Sequence, residues 1–496
     1  MENWLAHTRK KPYDFQARGF EHLIKQRVGA LFADPGTGKT KMSLDMVCSR
    51  ATEKKIHTVI VFAWPSTIHH QWVEEQVPKH WWKSVKIKTN AWNGKKMPEW
   101  CMTPSTENEV HFLTFNIESL VSKKVTEPLE KFVKQYGDGT MIIVDESQTI
   151  KNKNSGRWEE LYNLGLKANI KLGIHCAFKL IMSGTPLAKT LLDEWAQFYF
   201  LDEKIIGIKY KTAFVNQFCV TGGYLNKEVI GSKNMEVFNR LIAPYTFRAT
   251  KEELGLPPKN YDDIVFNITN EQRLAQEYLK ETFIVELNKL KGQFEIDAPI
   301  DQLMRVSNVG SLFVKLQQIA NGFMIDNDGE LHVFKENPRI DTLQAFTEIE
   351  RDKLVVWCRF RQDIRALKEH FGDRAVTYYG ENNKAEKDEA KHKFLNDKAT
   401  RFFIGHPASA GAGLDGLQTV CTTAAYYSNS FNSLERWQSE DRTNRIGSSL
   451  EVPSMYFDLI GRGTIDRHIQ RNLKKKKSFS DLSLGDLMEC INEIAT

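Results

Sequence analysis

Residues 28–46 read Val-Gly-Ala-Leu-Phe-Ala-Asp-Pro-Gly-Thr-Gly-Lys-Thr-Lys-Met-Ser-Leu-Asp-Met, and their reading decides the fold. Val28 to Ala33 is a short apolar run with the length of a buried strand. Asp34 to Gly38 is a turn with two glycines, and Lys39 onward has helical spacing. Strand, glycine-rich turn, Gly-Lys-Thr and helix in that order form the phosphate loop of a nucleoside triphosphatase. Glycine lets backbone N–H groups curl around an anion with no Cβ in the way, and the new helix points its positive end at that anion. Asp34, Gly36, Thr37, Gly38, Lys39 and Thr40 are therefore candidate nucleotide contacts. Lys39 would reach the β- and γ-phosphates, and the Thr40 hydroxyl would hold Mg²⁺. Ala33 stands where the full pattern has glycine.

Working outward, Gln16 begins a helical pattern marked by Phe15, Gly19, Phe20, Leu23 and Ile24. Its amide offers the donor and the acceptor that an adenine edge needs. Downstream, apolar runs at 57–63, 109–115, 141–144 and 180–182 read as buried strands. The third delivers Asp145-Glu146-Ser147-Gln148 at its end. Two carboxylates at a strand terminus supply what a phosphate loop lacks: Asp145 for Mg²⁺ and Glu146 to orient or deprotonate water. Strands alternating with helices predict an α/β fold, a parallel sheet with ligands at the strand C-termini.

From about 190 to 335 the pattern is mainly helical, as in Leu274, Tyr278, Phe283, Leu287 and Leu290, and α/β alternation returns after Asn337. No second Gly-Lys-Thr occurs there. Arg442 and Arg445 are spaced for one face of a helix. They are either a solvated face or guanidinium forks for a γ-phosphate. The expected organisation is a nucleotide-binding lobe over 1–190, a helical insertion over 191–335 and a second lobe over 336–496.

At 496 residues and 26% charged the chain has the composition of a soluble multidomain protein, with a net charge of +5 that is compatible with nucleic acid. No apolar run approaches a membrane span, and the N-terminus lacks a signal peptide's pattern, so no membrane association and a cytoplasmic location are expected. The seven scattered cysteines form no Cys-x-x-Cys pair and point to a reducing compartment. Trp81, Trp82, Trp92 and Trp100 lie among lysines, where they either stack on unpaired bases or pack a small excursion.

In this order the blocks resemble a superfamily 2 helicase or translocase of the SWI/SNF-type ATPase group over about residues 12–480. Gln16 falls at the family's adenine-reading position. Asp34–Thr40 resembles motif I, Trp64-Pro65 with Trp72 motif Ia, Asp145–Gln148 with its Lys151-Asn152 tail motif II, and Ser183–Pro186 motif III. Arg248, Leu256–Lys259 and Leu316–Gly322 resemble the group's insertion, Gly411–Asp415 motif V, Gln438–Gly447 motif VI, and Gly463–Asp466 the brace that follows. Gln148 stands where many members have His, and Asp415 where many have Asn.

The resemblance implies two RecA-like lobes, ATP with Mg²⁺ between them, Asp415 near the nucleotide, and Arg442 and Arg445 as fingers. It also implies ATP-driven movement on DNA by a minimal motor, similar to bacterial or viral members and expected to be a monomer. Duplex, forked or branched DNA are the expected substrates, which leaves fork remodelling and branch migration open, with roles in repair, recombination or replication. Candidate backbone contacts are the strand-end loops: Pro65 and Ser66; Thr114, Phe115 and Asn116; Ser409, Ala410 and Gly411; Asn429 and Asn432. The rival readings are a nucleotide-switched clamp that does not move and an RNA helicase.

Overall fold

The computed structural model describes residues 4–64, 68–106, 109–162, 176–184, 190–222, 228–293, 309–326, 328–350, 352–410, 414–475 and 493–494. Pro65, Ser66, Thr185, Pro186 and Gly411–Gly413, all named above, lie outside them, and so do the side chains of Phe283, Leu287 and Leu290. The chain divides into two compact units, Met1–Gly255 and Leu256–Thr496.

The first unit contains β1 (Val28–Ala33), β2 (Thr58–Ala63), β3 (Lys86–Ala91), β4 (Glu109–Asn116), β5 (Thr140–Asp145), β6 (Phe178–Ser183), a hairpin of β7 (Cys219–Gly222) and β8 (Glu228–Ser232), and β9 (Thr246–Ala249). Seven of these form one sheet in the order β3-β4-β2-β5-β6-β1-β9, with every pairing parallel. β2 and β5 are buried along their whole length because helices cover both faces, which is why their sequences are unbroken apolar runs. Phe32, Ile60, Phe62, Leu113, Phe115, Ile142 and Val144 build the core with Trp158, Trp195 and Phe198 from helices on the sheet.

The register sets the site. Phe32 pairs with Ser183 and Met182 with Asp145, so one strand separates the end of β1 from the end of β5. At about 4.8 Å per strand, the phosphate loop and the strand-end carboxylates emerge about 10 Å apart on one sheet edge.

The second unit contains β10 (Asn260–Asn267), a hairpin of β11 (Phe323–Ile325) and β12 (Leu331–Val333), β13 (Leu354–Trp357), β14 (Ala375–Tyr378), β15 (Phe402–Gly405), β16 (Thr423–Tyr426) and β17 (Met455–Arg462). Its six-stranded parallel sheet has the order β10-β17-β16-β13-β15-β14. Two parallel α/β sheets are the fold expected of the sequence.

The span 191–335 is shared between the units. It holds the helices Leu191–Leu201, Lys211–Phe218, Met235–Ile242, Asn270–Gln293 and Val309–Ala320, while β9 pairs with β1 and β10 with β17. Leu274 and Tyr278 point outward, 66% and 72% exposed, and Gln272 and Gln276 face inward. Gln272 is held there because its amide donates to Ile319 O (2.7 Å). Among the described residues no helix is long and apolar enough to cross a membrane. Cys48, Cys101, Cys176, Cys219, Cys358 and Cys421 are buried free thiols.

A buried ion pair ties the second unit together. Arg339, fully buried at the start of the helix Pro338–Ile349, pairs with Asp466, donates to the carbonyls of Ala320 and Tyr427, and lies over Phe266. Removing one partner of such a pair strands the other charge in low dielectric. Arg339→Met is expected to destabilise this unit by about 3–5 kcal/mol, measured as a lower urea midpoint of its unfolding transition.

Candidate nucleotide site and second-unit arginine cluster

The phosphate loop takes the shape its glycines permit. Gly36 and Gly38 have φ of +82° and +87°, the left-handed region, and Gly38 caps the helix Lys39–Thr52. Thr37 closes the turn, its N–H and hydroxyl both donating to Asp34 O (3.2 and 2.7 Å). The Lys39 ammonium donates to Ala33 O (2.8 Å). Asp34 works inside the fold: its carboxylate accepts from Lys251 N (3.0 Å) and its N–H donates to Ala249 O (3.1 Å), which anchors the loop beside β9. Gln16 is buried and links two elements. It accepts from Tyr13 N (3.1 Å) and donates to Thr37 O (2.8 Å), tying the first helix to the phosphate loop.

At the end of β5, Asp145 is buried and accepts one hydrogen bond on each oxygen, from Trp72 Nε1 (3.1 Å) and from Glu146 N (3.1 Å). Burial foremost, and the neighbouring Glu146 charge, push its carboxyl up to about 7 against the pull of Lys39. Glu146 has φ +54°, a left-handed conformation uncommon for a residue with a Cβ, and the turn Ser147–Ile150 follows it directly. Strain of this kind clusters at functional sites. The Glu146 carboxylate accepts from Gln148 Nε2 (2.8 Å), and Gln148 Oε1 accepts from the Ser183 hydroxyl (2.7 Å). One amide thus joins the ends of β5 and β6. A glutamine can do this because it carries donor and acceptor on one side chain without titrating. Ser147 beside it donates to Gln197 Oε1 (2.6 Å).

The second-unit residues are arranged differently from the sequence expectation. The helix Ser433–Glu440 ends before Arg442, and Arg442 and Arg445 lie in consecutive turns rather than on a helix face. The physical reason is a change of hydrogen bonding: Arg442 N, Thr443 N and Ser448 N donate three residues back, to Ser439, Glu440 and Arg445 O. The Thr443 hydroxyl and the Asn444 amide meanwhile turn inward to Tyr456 and Ser454. Both arginines still converge on one segment. Arg442 donates to Leu414 O (3.0 Å), and Arg445 lies 3.7 Å from the Asp415 carboxylate, which also accepts from Gln418 Nε2 (3.1 Å).

The candidate DNA contacts divide. Thr114 and Phe115 are buried in the first sheet, Phe115 against Phe62 and Trp92, so their side chains are core, contrary to expectation. An apolar strand cannot end in a surface aromatic when helices cover both faces. Asn116 caps the following turn by accepting from Glu118 N (3.2 Å). Asn432 likewise caps the helix Ser433–Glu440. Asn429 is enclosed in a network with Arg436 (2.9 Å), Asp458 (2.8 Å) and Gln317 (2.6 Å). Ser409 and Ala410 fall in the short helix Pro407–Ala410. The tryptophans resolve as packing: Trp81 and Trp82 are buried and donate to Val85 O and Asp45, Trp92 donates to Lys95 O, and Trp100 packs edge-on against His111 beneath Lys88.

Sequence reasoning did not anticipate the Trp72–Asp145 bond or the bridging by Gln148. Only the position of Gln148 beside the carboxylates hinted at the second.

The family profile described as "SNF2-related domain" matches residues 2–321. An uncharacterized ATP-dependent helicase of Mycoplasma genitalium is 24% identical over 486 residues, covering 95% of this chain and 41% of that protein. The DNA excision repair protein ERCC-6 of Homo sapiens is 22% identical over 517 residues, covering 96% of this chain and 32% of that protein. The chain therefore spans less than half the length of these relatives. A solved Sulfolobus solfataricus SWI2/SNF2 ATPase core in complex with dsDNA is 20% identical, with a TM-score of 0.41 and coverage of 98% of this chain and 97% of that one.

Proposed function

Since the chain belongs to the SNF2-related domain family, we propose that it is a DNA-dependent ATPase that uses ATP hydrolysis to move along duplex or branched DNA. The observation that carries this reading is the hydrogen-bonded row Ser183–Gln148–Glu146 beside Asp145, on the same sheet edge as the phosphate loop. A protein that only binds nucleotide has no need of a strained, oriented carboxylate beside its metal ligand. The names of the relatives, an ATP-dependent helicase and a DNA excision repair protein, support action on DNA.

In this reading the backbone N–H groups of residues 36–40 and Lys39 cradle the phosphates. Thr40 and Asp145 are hard oxygen donors that suit Mg²⁺. When bound, that ion would neutralise charge on the β- and γ-phosphates. Glu146, aimed by Gln148, orients the attacking water and takes its proton. Arg442 and Arg445 stabilise charge on the γ-phosphate as it leaves. Gln16 holds the phosphate loop through Thr37 O, and its second amide N–H would donate to the adenine edge.

The test is the rate of ATP turnover without nucleic acid and with single-stranded, duplex, forked or four-way DNA, or RNA. Strong stimulation by DNA, largest on duplex or branched forms, is expected. Stimulation by RNA alone would favour an RNA helicase, and ATP binding without turnover on any of them would favour the static clamp.

Basic side chains that neutralise phosphates without reading bases would make binding salt-dependent and indifferent to sequence. For Z phosphates neutralised, log affinity should fall with log salt at a slope of about −0.9Z. Roughly six contacts would lower affinity about 10³-fold from about 50 to about 200 mM salt. Fluorescence anisotropy on duplexes of unrelated sequence measures this, and a strong base preference would contradict it.

A further inference from the structure

Trp72 lies 73 positions from Asp145 in the chain, yet its indole N–H ends on the Asp145 carboxylate (3.1 Å), with both side chains buried. The helical stretch that carries it is irregular at that point. Ile68–Gln71 and Val77–His80 are α-helical, while Trp72–Gln76 is a π-helical turn in which Val77 N reaches back to Trp72 O. One such wide turn re-aims the side chain at its start, and turns of this kind are frequent at functional sites. The indole ring is fixed a second time by stacking on Phe112 at 6.0 Å. Trp82, further along the stretch, makes a comparable bond to Asp45 (2.7 Å) on the outgoing helix, but Asp45 is already paired with Lys41 (2.6 Å) and plays no part in the proposed chemistry.

We propose that Trp72 is a positioning residue for the metal-holding carboxylate. Its N–H and the Glu146 N–H, one on each oxygen, lock the plane of the Asp145 carboxylate and leave the remaining lone pairs for the ion or its water. An indole N–H suits this task, since it donates only, never titrates, and cannot compete as a ligand. Residues that orient a ligating carboxylate are worth about 10–100-fold in metal affinity where they have been replaced. The inference rests on the reading of Asp145 given above.

The test is a Mg²⁺ titration of binding of a fluorescent ATP analogue, with no DNA and no turnover. It compares the unaltered chain, Trp72→Phe, a chain carrying benzothienylalanine at 72 (the same shape with sulfur replacing N–H), and Trp82→Phe. Both changes at 72 are expected to raise the half-saturating Mg²⁺ about tenfold. Metal-free analogue binding and DNA affinity should stay as they are, and Trp82→Phe should leave the Mg²⁺ midpoint unmoved. Should Trp72→Phe fail to fold, the benzothienylalanine chain decides the matter. The proposal is overturned if the folded variants at 72 titrate like the unaltered chain, or if Trp82→Phe shifts the midpoint equally. An unaltered chain whose ATP binding ignores Mg²⁺ would overturn the role of Asp145 itself, and the proposal with it.

Discussion

A Glu146→Gln chain is expected to bind ATP about as well as the unaltered one and to lose hydrolysis by about 10²–10⁴-fold, the usual worth of a positioned general base. The geometry makes this a test of chemistry rather than of folding. The amide oxygen that the substitution places at position 146 can still accept from Gln148 Nε2, so the row back to Ser183 survives. The left-handed backbone at 146 strains a glutamine no more than a glutamate. What disappears is a carboxylate able to take a proton from water. Lys39→Ala should fail earlier, with ATP binding itself weakened, because the phosphates lose the lysine cation of the loop. Equilibrium binding of an ATP analogue beside single-turnover hydrolysis separates the two variants. A Glu146→Gln chain that turns over at the full rate would remove Glu146 from the mechanism.

The second large effect is expected at Arg442 and Arg445. Replacing either with alanine should leave ATP and DNA binding largely intact and slow DNA-stimulated turnover at least about tenfold, a barrier rise of about 1.4 kcal/mol. Finger arginines in phosphoryl transfer are worth about 10³–10⁵. Lysine should not restore the rate, because an ammonium has no planar fork. The structure sharpens the expectation by distinguishing the pair. Arg442 is braced by Leu414 O, a neutral acceptor, while Arg445 faces the Asp415 carboxylate at 3.7 Å. Asp415→Asn, which places there the residue that many family members carry, removes the charge facing Arg445 and should change turnover less once Arg445 is already alanine. If both alanine variants keep most of the rate, these arginines are surface turns and the static clamp becomes the better reading. In that case each substitution costs within about 0.5 kcal/mol of stability.

Much of this protein was legible residue by residue. The phosphate loop is contiguous: strand, glycine turn, lysine and helix follow one another, so the chemistry and its scaffold are written in a single stretch. Asp145 and Glu146 were legible for a related reason, since the apolar run before them could only be a strand buried on both faces. Four strands of the two parallel sheets escaped, as did both hairpins. β3, β9 and β10 lie at sheet edges, where partial exposure dilutes the apolar pattern. β17 is interior, but its run is broken by Asp458, which is buried because Arg436 neutralises it and Asn429 donates to it. The spacing of Arg442 and Arg445 looked helical because three-residue spacing also fits the tight turns that follow a helix.

Periodicity states how a segment buries one of its faces, and so the sequence carried the two α/β sheets, the nucleotide loop and the strand-end carboxylates. Which strands become neighbours is a matter of long-range pairing, and no local pattern encodes the order β3-β4-β2-β5-β6-β1-β9. That order brings Ser183 to Gln148 and Trp72 to Asp145 across 35 and 73 positions of chain. It is likewise tertiary packing that turns Phe115 into core and gives Asn116 and Asn432 to helix caps. Residue type limits the hydrogen bonds a side chain can make, and only the folded neighbourhood selects among them.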